Sequence, residues 1–217
     1  MTFVRSGDLQ AKPKMSTLSI IVATIARPSL EKLLLSIQPQ LIEGDEVIVV
    51  GDAPEHKARP LVEKFGAPFR YIGYDPPVER GWIEVGQKRM LGIKAAKGQY
   101  LNYQDDDDVM APDALQQIRR EIELHPGKLM LFKMKWPNGS LSPSIDSITD
   151  TGGASFVFPN DPEVIGWFKP DYGYDDQEFM LSTIEKAMKR AGVRDQRAVV
   201  VYARQVITHY SGRGKGK

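Results

Sequence analysis

The chain has 217 residues, of which 41% are hydrophobic and 26% are charged, and these proportions are ordinary for a globular protein. This length provides one compact domain with a substantial core and leaves little room for a second domain. The formal net charge of +1 excludes a strong overall field that would recruit nucleic acid or a membrane surface. The absence of cysteine excludes disulfides, cysteine nucleophiles and thiolate metal sites.

Neither a secretory leader nor a membrane span is expected. The longest mostly apolar run, from Leu18 to Ala26, is far shorter than the roughly 20 residues that cross a bilayer. The start of the chain lacks the apolar region of a signal peptide. Together with the lack of cysteine, these features predict a cytoplasmic protein. We expect an N-terminal extension over residues 1–17, a single domain over 18–211, and a flexible basic tail over 212–217.

In the first half of the chain, short apolar runs alternate with helical patterns. Strands are predicted over residues 18–23, 46–50, 69–72 and 100–103, because each run is short and rich in β-branched or aromatic residues. Helices are predicted over residues 29–37, 57–65, 87–97 and 112–124. Residues 74–86 contain two prolines and two glycines and are predicted to be a loop. This alternation predicts an α/β fold with a mainly parallel, twisted sheet flanked by helices.

The second half of the chain is predicted to continue the sheet less regularly. Strands are expected over residues 129–134, 155–158, 198–202 and 205–208, with a long helix over 178–190. In open parallel sheets, ligands bind outside the carboxyl ends of the strands. Thr24 to Arg27, Asp52 and the run Asp105 to Asp108 all follow predicted strands. We therefore expect their polar groups to converge on one crevice.

Four consecutive aspartates form the most informative motif. Like charges at this spacing raise one another's pKa values, and a bound cation removes the conflict. In an extended segment, Asp105 and Asp107 point to one side while Asp106 and Asp108 point to the other. Such a pair can hold Mg²⁺ or Mn²⁺ through oxygen and leave positions open for a diphosphate. A solvated acidic turn is the alternative, whereas an EF-hand calcium loop lacks its glycine and glutamate here.

Several segments resemble family 2 glycosyltransferases. Residues 96–112, AKGQYLNYQDDDDVMAP, are similar to the family segment A-x-G-E-Y-I-x-F-x-D-x-D-D-x-x-x-P. Residues 88–93 are similar to the A-R-N-x-G-I helix, residues 19–28 to the S-I-I-I-P-T-Y-N-R opening, and residues 49–52 to V-V-D-D-G-S. The similarity covers residues 18 to about 115 in the same order and spacing. It implies a GT-A fold, with nucleotide-sugar binding over 18–115 and an acceptor half over 116–211.

The resemblance also implies roles for residues of the donor half. Asp105 and Asp107 form the DXD pair that holds Mn²⁺ or Mg²⁺, with Asp107 as the direct ligand, and Asp106 lies near the ribose. The remaining expected nucleotide contacts are Thr24 and Arg27 in the pocket, Asp52 at the base, and Arg89 at the base or diphosphate. Gly51 replaces the first acid of the family's D-D pair, which is a departure at the base-recognition position.

In the acceptor half, Asp175 and Asp176 resemble the acidic element that opens a helix in GT-A enzymes. Asp176 matches the general base, while Asp175 with Glu178 also fits a capping box. Gly152 and Gly153 are similar to a glycine pair beside the donor sugar, although a plain β-turn fits them equally well.

Two positions near the C-terminus complete the expected site. His209 fits a late histidine ligand of the metal, with an exposed or structural histidine as the alternative. Arg213, between two glycines, fits a diphosphate contact on a mobile lid.

The expected activity is an inverting, metal-dependent transfer of a sugar from a nucleotide-sugar, by expectation a UDP-sugar, to an acceptor hydroxyl. A nucleotidyltransferase and a non-catalytic nucleotide-sugar binder are the alternatives. The acceptor stays open between a saccharide, a protein and a modified nucleic acid.

Overall fold

The computed structural model describes residues 15–53, 55–75, 83–144, 146–148, 151–168 and 175–210. Its strands are β1 (Leu18–Ala23), β2 (Glu46–Asp52), β3 (Phe69–Tyr74), β4 (Tyr100–Asp105), β5 (Asp108–Met110), β6 (Leu129–Lys135), β7 (Leu141–Ser142), β8 (Phe156–Pro159) and β9 (Val200–Tyr210). Its α-helices are α1 (Ser29–Ile37), α2 (Arg59–Phe65), α3 (Ile83–Ala95), α4 (Ala114–Leu124) and α5 (Asp175–Ala191). Short 3₁₀ helices cover Gln38–Gln40, Gly153–Ser155 and Gln196–Ala198.

All nine strands belong to one sheet with the order β3-β2-β1-β4-β8-β6-β9-β5, and β7 pairs with β6. The first four strands along this order are parallel, which confirms the α/β prediction. β8 lies antiparallel between β4 and β6, and β5 lies antiparallel to β9. The sheet therefore continues without a break from the first half of the chain into the second.

Two apolar layers cover the faces of the sheet, and β1 shows how the sequence divides between them. Ile20 and Val22 belong to the layer formed with α1, α2 and α4, whereas Ile21 belongs to the layer formed with α3 and α5. Successive side chains of a strand point to opposite faces, so a continuous apolar run is what a strand covered on both sides requires. The apolar stripe of α1, whose four buried residues were predicted to share one face, packs on the first layer.

Several element boundaries differ from the sequence predictions. α3 begins at Ile83 rather than at residue 87, and β3 extends to Tyr74, so the loop predicted over 74–86 is shorter at both ends. The two strands predicted over 198–202 and 205–208 are one strand, β9. The polar residues around Arg204 hid its continuity, but pairing with β6 carries the strand through this stretch with a local register shift. In the described part of the chain, no helix is long and apolar enough to cross a membrane.

Candidate active site

The sheet order brings three strand ends together, as predicted. β1 lies between β2 and β4, and Ala23 is in register with Val50 on one side and with Asp105 on the other. The residues that follow these strands therefore occupy one edge of the sheet. This is the edge where parallel α/β sheets bind ligands.

Asp106 is the residue that fixes the loop after β1. Its buried carboxylate accepts hydrogen bonds from Thr24 Oγ1 at 2.6 Å and from Ile25 N at 3.1 Å, and it forms an ion pair with Arg27. Ala26 N in turn donates to Thr24 Oγ1 at 2.8 Å, with Ala26 in the left-handed region at a φ of 62°. Three predicted site residues are thus assembled, but the Asp106 carboxylate faces the protein loop. Its expected ribose contact stays a prediction.

The four aspartates do not continue as one extended strand, so the prediction of strict alternation along the run is wrong. β4 ends at Asp105, residues 106 and 107 form a turn, and Asp108 begins β5. The chain must reverse here because β5 pairs antiparallel with β9. Each aspartate therefore has its own surroundings.

Asp107 and Asp108 are the two aspartates of the run whose pKa values are raised. Burial raises the pKa of Asp107, with Arg27 opposing this effect from 3.7 Å and Asp105 adding to it. Burial, followed by repulsion from Asp105 and Asp107, raises the pKa of Asp108 to about 9. Both carboxyl oxygens of Asp108 are buried without a hydrogen-bond partner among the described residues. Sequence reasoning left Asp108 without a role.

Arg89 joins the acidic turn to the acceptor half. It is 3% exposed and forms ion pairs with both Asp105 and Asp176. Its guanidinium lies 4.7 Å from the ring centroid of Tyr103 and 5.6 Å from that of Phe168. The predicted metal ligand and the predicted general base are therefore held through one buried arginine. Arg89 is not a surface arginine, because α3 packs this face of the helix onto the sheet.

The predicted glycine pair lies beside Asp176. Gly153 N donates to Asp176 Oδ2 at 3.1 Å. A Cβ at Gly153 would lie 2.1 Å from Tyr103 Cε2, and one at Gly152 would lie 3.3 Å from Met134 Cε. The close approach that requires glycine at 153 is thus to Tyr103, whereas the predicted approach to a sugar stays a prediction.

A buried amide network holds the glycine segment against the sheet. Gln104 Nε2 donates to Asn102 Oδ1 at 2.6 Å and to Ala154 O at 3.0 Å, and Thr208 Oγ1 donates to Gln104 Oε1 at 3.2 Å. These bonds join β4, the 3₁₀ helix Gly153–Ser155 and β9. The polar residues at alternate positions of a buried strand were the available signal for this network.

Asp52 ends β2 and lines a small open cleft. The other lining residues are Ile25, Ala26, Glu55, Lys57 and Ala58. Lys88, on α3, forms an ion pair with Asp52 behind this cleft and was missed from the sequence. The pattern of this helix in the sequence does not indicate that the side chain of Lys88 is buried.

Three further predicted positions lie late in the chain. His209 is exposed on β9 opposite Val109, so strand alternation turns it away from the face of Asp108 and Tyr210. Asp175 begins α5, but its side chain lies outside the described residues, and so does Arg213. Among the described residues, no group of three or more histidine or carboxylate side chains is arranged to hold a metal ion.

Residues 19–145 match the family model described as glycosyl transferase family 2. The chain belongs to this family. Among curated proteins it is similar to the poly(ribitol-phosphate) beta-N-acetylglucosaminyltransferase TarS of Staphylococcus aureus, strains Mu50 / ATCC 700699 and MW2. Identity to each is 27% over 131 residues, which is 58% of this chain and 22% of that protein. This chain therefore spans about a fifth of the length of the curated family members that it matches.

Solved structures of the same S. aureus protein share the fold. The crystal structure of TarS 1-349 superposes with a TM-score of 0.71 at 19% identity, covering 90% of this chain and 60% of that one. The complex of TarS 1-349 with UDP-GlcNAc gives a TM-score of 0.71 at 19% identity, covering 94% of this chain and 60% of that one. These similarities confirm the GT-A fold predicted from the family 2 resemblance.

Proposed function

We propose that this chain is an inverting glycosyltransferase that moves a sugar from a nucleotide-sugar to an acceptor hydroxyl. The observation that carries the proposal is the double ion pair of Arg89. Arg89 contacts Asp105 at the end of β4 and Asp176 at the start of α5, so both carboxylates lie beside one guanidinium group. One carboxylate then serves the donor, and the other is available to an acceptor. The family assignment favours this activity over a nucleotidyltransferase.

The donor end of the proposed site is the cleft beside Asp52. Its carboxylate lies at the cleft wall, where it can accept a hydrogen bond from a ring N–H of a base. The relative solved with UDP and with UDP-GlcNAc supports a uridine nucleotide as the first donor to test. A UDP-sugar is therefore the proposed donor.

We propose that the acidic turn binds a divalent cation, which requires its carboxylates to move together, because no three of the described side chains are arranged to hold an ion in this structure. Asp108 has two buried oxygens without hydrogen-bond partners among the described residues, and burial raises the pKa of Asp107. A hard cation relieves both penalties, and oxygen is the ligand that Mn²⁺ and Mg²⁺ prefer. We propose Asp105 and Asp107 as ligands, Asp108 as an additional one, and His209 only if its strand turns. When bound, the cation neutralises charge that develops on the leaving diphosphate.

The chain's own residues then provide acceptor activation. Asp176, oriented by its contact with Arg89, takes the proton of the acceptor hydroxyl. The acceptor oxygen forms a bond to the anomeric carbon, and the bond from that carbon to the diphosphate oxygen breaks with its electron pair leaving on the diphosphate. A single displacement of this kind inverts the anomeric configuration. Gly153 N, bound to the other oxygen of Asp176, fixes the orientation of the base.

The proposal is tested by incubating the protein with UDP-GlcNAc or UDP-glucose and measuring UDP release, with Mn²⁺ or with EDTA. Poly(ribitol phosphate), neutral oligosaccharides and water serve as acceptors. We expect UDP release that needs the cation and is lost in Asp107→Ala. Undiminished release and transfer by Asp107→Ala contradicts the proposed site, and binding of UDP-sugars without any release supports a non-catalytic binder instead.

The acceptor and the location are proposed only in coarse terms. The acceptor is a hydroxyl compound, and saccharide, protein and modified nucleic-acid acceptors all belong in the screen. The cysteine-free composition supports a reducing compartment, so we propose a cytoplasmic site of action.

A further inference from the structure

Lys88 is a buried lysine that no step of the proposed reaction uses. It is 1% exposed, and its ammonium donates to Thr24 O at 3.2 Å and forms an ion pair with Asp52. It is not among the described residues that line the cleft beside Asp52. It also stands where the family 2 helix pattern has alanine. Lys88 therefore acts on the cleft, if at all, through its two partners.

The packing of α3 explains how the ammonium reaches these partners. Gly92 faces β1 so closely that a Cβ there would lie 2.4 Å from Ile21 Cγ2. Lys88 lies one helical turn before Gly92, so both residues share the face that packs on the sheet. The lysine stem is thus directed along β1 to the point where β1 and β2 end. The ammonium therefore lies below the cleft, next to Asp52.

The contact leaves Asp52 with two unequal oxygens. Its Oδ1 is buried and is held by ion-pair contact with Lys88, without a hydrogen bond of regular geometry among the described residues. The side chain is nevertheless 41% exposed, so the exposed part of the carboxylate includes Oδ2. An exposed carboxylate ordinarily samples several rotamers, whereas this one is anchored by one oxygen. Immobilising a mobile side chain on binding costs about 0.5–1.5 kcal/mol, a cost that the anchored Asp52 avoids.

We propose that Lys88 is a positioning residue for recognition of the donor base. It fixes Asp52 so that Oδ2 faces the cleft as a charged acceptor, which suits a base with a ring N–H, such as uracil. Cytosine presents a ring nitrogen acceptor at the same position and is repelled. Through Thr24, the same ammonium ties the base cleft to Asp106 in the acidic turn. This inference rests on the proposed function.

A double-mutant cycle tests the inference. UDP and CDP binding is measured by calorimetry for the wild type, Lys88→Met, Asp52→Ala and the double variant. We expect Lys88→Met to weaken UDP binding roughly 3- to 10-fold, which is the freed rotamer cost, and to weaken CDP binding less. In the Asp52→Ala background, Lys88→Met should change UDP affinity less than about twofold, because coupled residues are non-additive. Lys94→Met, an exposed change on the same helix, is the matched control.

The outcomes separate this inference from the proposed function. If Lys88→Met weakens UDP binding and CDP binding equally, or if the effects in the cycle are additive, the proposed role of Lys88 is wrong. In that case the proposed function still stands as long as the wild type binds UDP. Absence of UDP binding by the wild type overturns both. Methionine fills the volume of a lysine stem, and the Asp52 side chain is 41% exposed to water, so Lys88→Met should fold. If it does not fold, Lys88→Gln, which keeps a donor for Thr24 O, replaces it in the same cycle with the same expected result.

Discussion

Two buried aspartates, Asp45 and Asp108, lie at opposite ends of the sheet and differ in the partners of their carboxylates. Asp45, before β2, is 4% exposed and accepts hydrogen bonds from Leu18 N and Ile42 N, each at 2.9 Å, besides its ion pair with Arg119. Asp108, at the start of β5, is 1% exposed, and neither of its carboxyl oxygens has a hydrogen-bond partner among the described residues. Asp45 is balanced by the protein itself. Without a bound cation, Asp108 is balanced by a proton, because burial raises its pKa to about 9.

Burial of charge serves the fold at the amino end of the sheet, whereas we expect it to serve a ligand at the carboxyl end. At the amino end of the sheet, the partners of Asp45 connect β1, β2 and α4. At the carboxyl end, Arg89 is shared between Asp105 and Asp176, which leaves the total charge of the cluster negative. Removing a carboxylate should therefore cost stability at one end and activity at the other.

The largest expected effect is on turnover. Replacing Asp176 by asparagine keeps the shape of the side chain but removes the proton acceptor, and general base catalysis contributes about 10²- to 10⁴-fold. We expect transfer to fall by about that factor while UDP affinity and melting temperature stay close to those of the wild type. Transfer by Asp176→Asn at more than a tenth of the wild-type rate would assign the base to another residue.

A stability effect of comparable free energy is expected at the other end of the sheet. Asp45→Ala leaves Arg119 buried without its partner, and breaking a buried ion pair costs about 3–5 kcal/mol. Urea unfolding should show this loss in the free energy of unfolding, and turnover per folded molecule should be unchanged. Asp113→Ala, at an exposed aspartate before α4, is the control. A loss of turnover without a loss of stability would abolish the contrast between the two ends.

The effect that is smallest per pH unit is a pH dependence from Asp108. Its pKa is raised from 3.8 to about 9, so between these pH values the folded chain keeps a proton that the unfolded chain has released. The free energy of unfolding therefore falls as pH rises through this window, by at most about 1.4 kcal/mol per pH unit. Asp108→Asn should be more stable than the wild type at pH 8 and similar to it at pH 4, as measured by urea unfolding without divalent cations. Parallel pH profiles for the two proteins would contradict the uncompensated state of Asp108.

Much of the donor half could be predicted from the sequence, because it depends on strand ends. Asp52, Asp105 and Thr24 each follow a short apolar run, and parallel topology alone brings such positions together. The joining of Arg89 to Asp176 was not predicted. It depends on how α3 and α5 pack on the same face of the sheet, which no local pattern specifies.

The errors also have a physical pattern. Alternation along the aspartate run assumed an extended backbone, but the antiparallel partner β9 forces a turn between β4 and β5. The burial of Lys88 and Asp108 was not predicted, because charged residues are usually exposed and their burial here depends on tertiary packing. The two halves expected on either side of residue 115 share one sheet.

The loop after β1 has a consequence for the thermodynamics of binding. Thr24, Ala26 and Asp106 hold this loop through hydrogen bonds that need no nucleotide. The conformational entropy of that segment is therefore lost when the chain folds, and none of it remains to be lost when a donor arrives. A nucleotide entering here meets a wall that is already rigid, so its association should be a single fast step without a slow ordering phase.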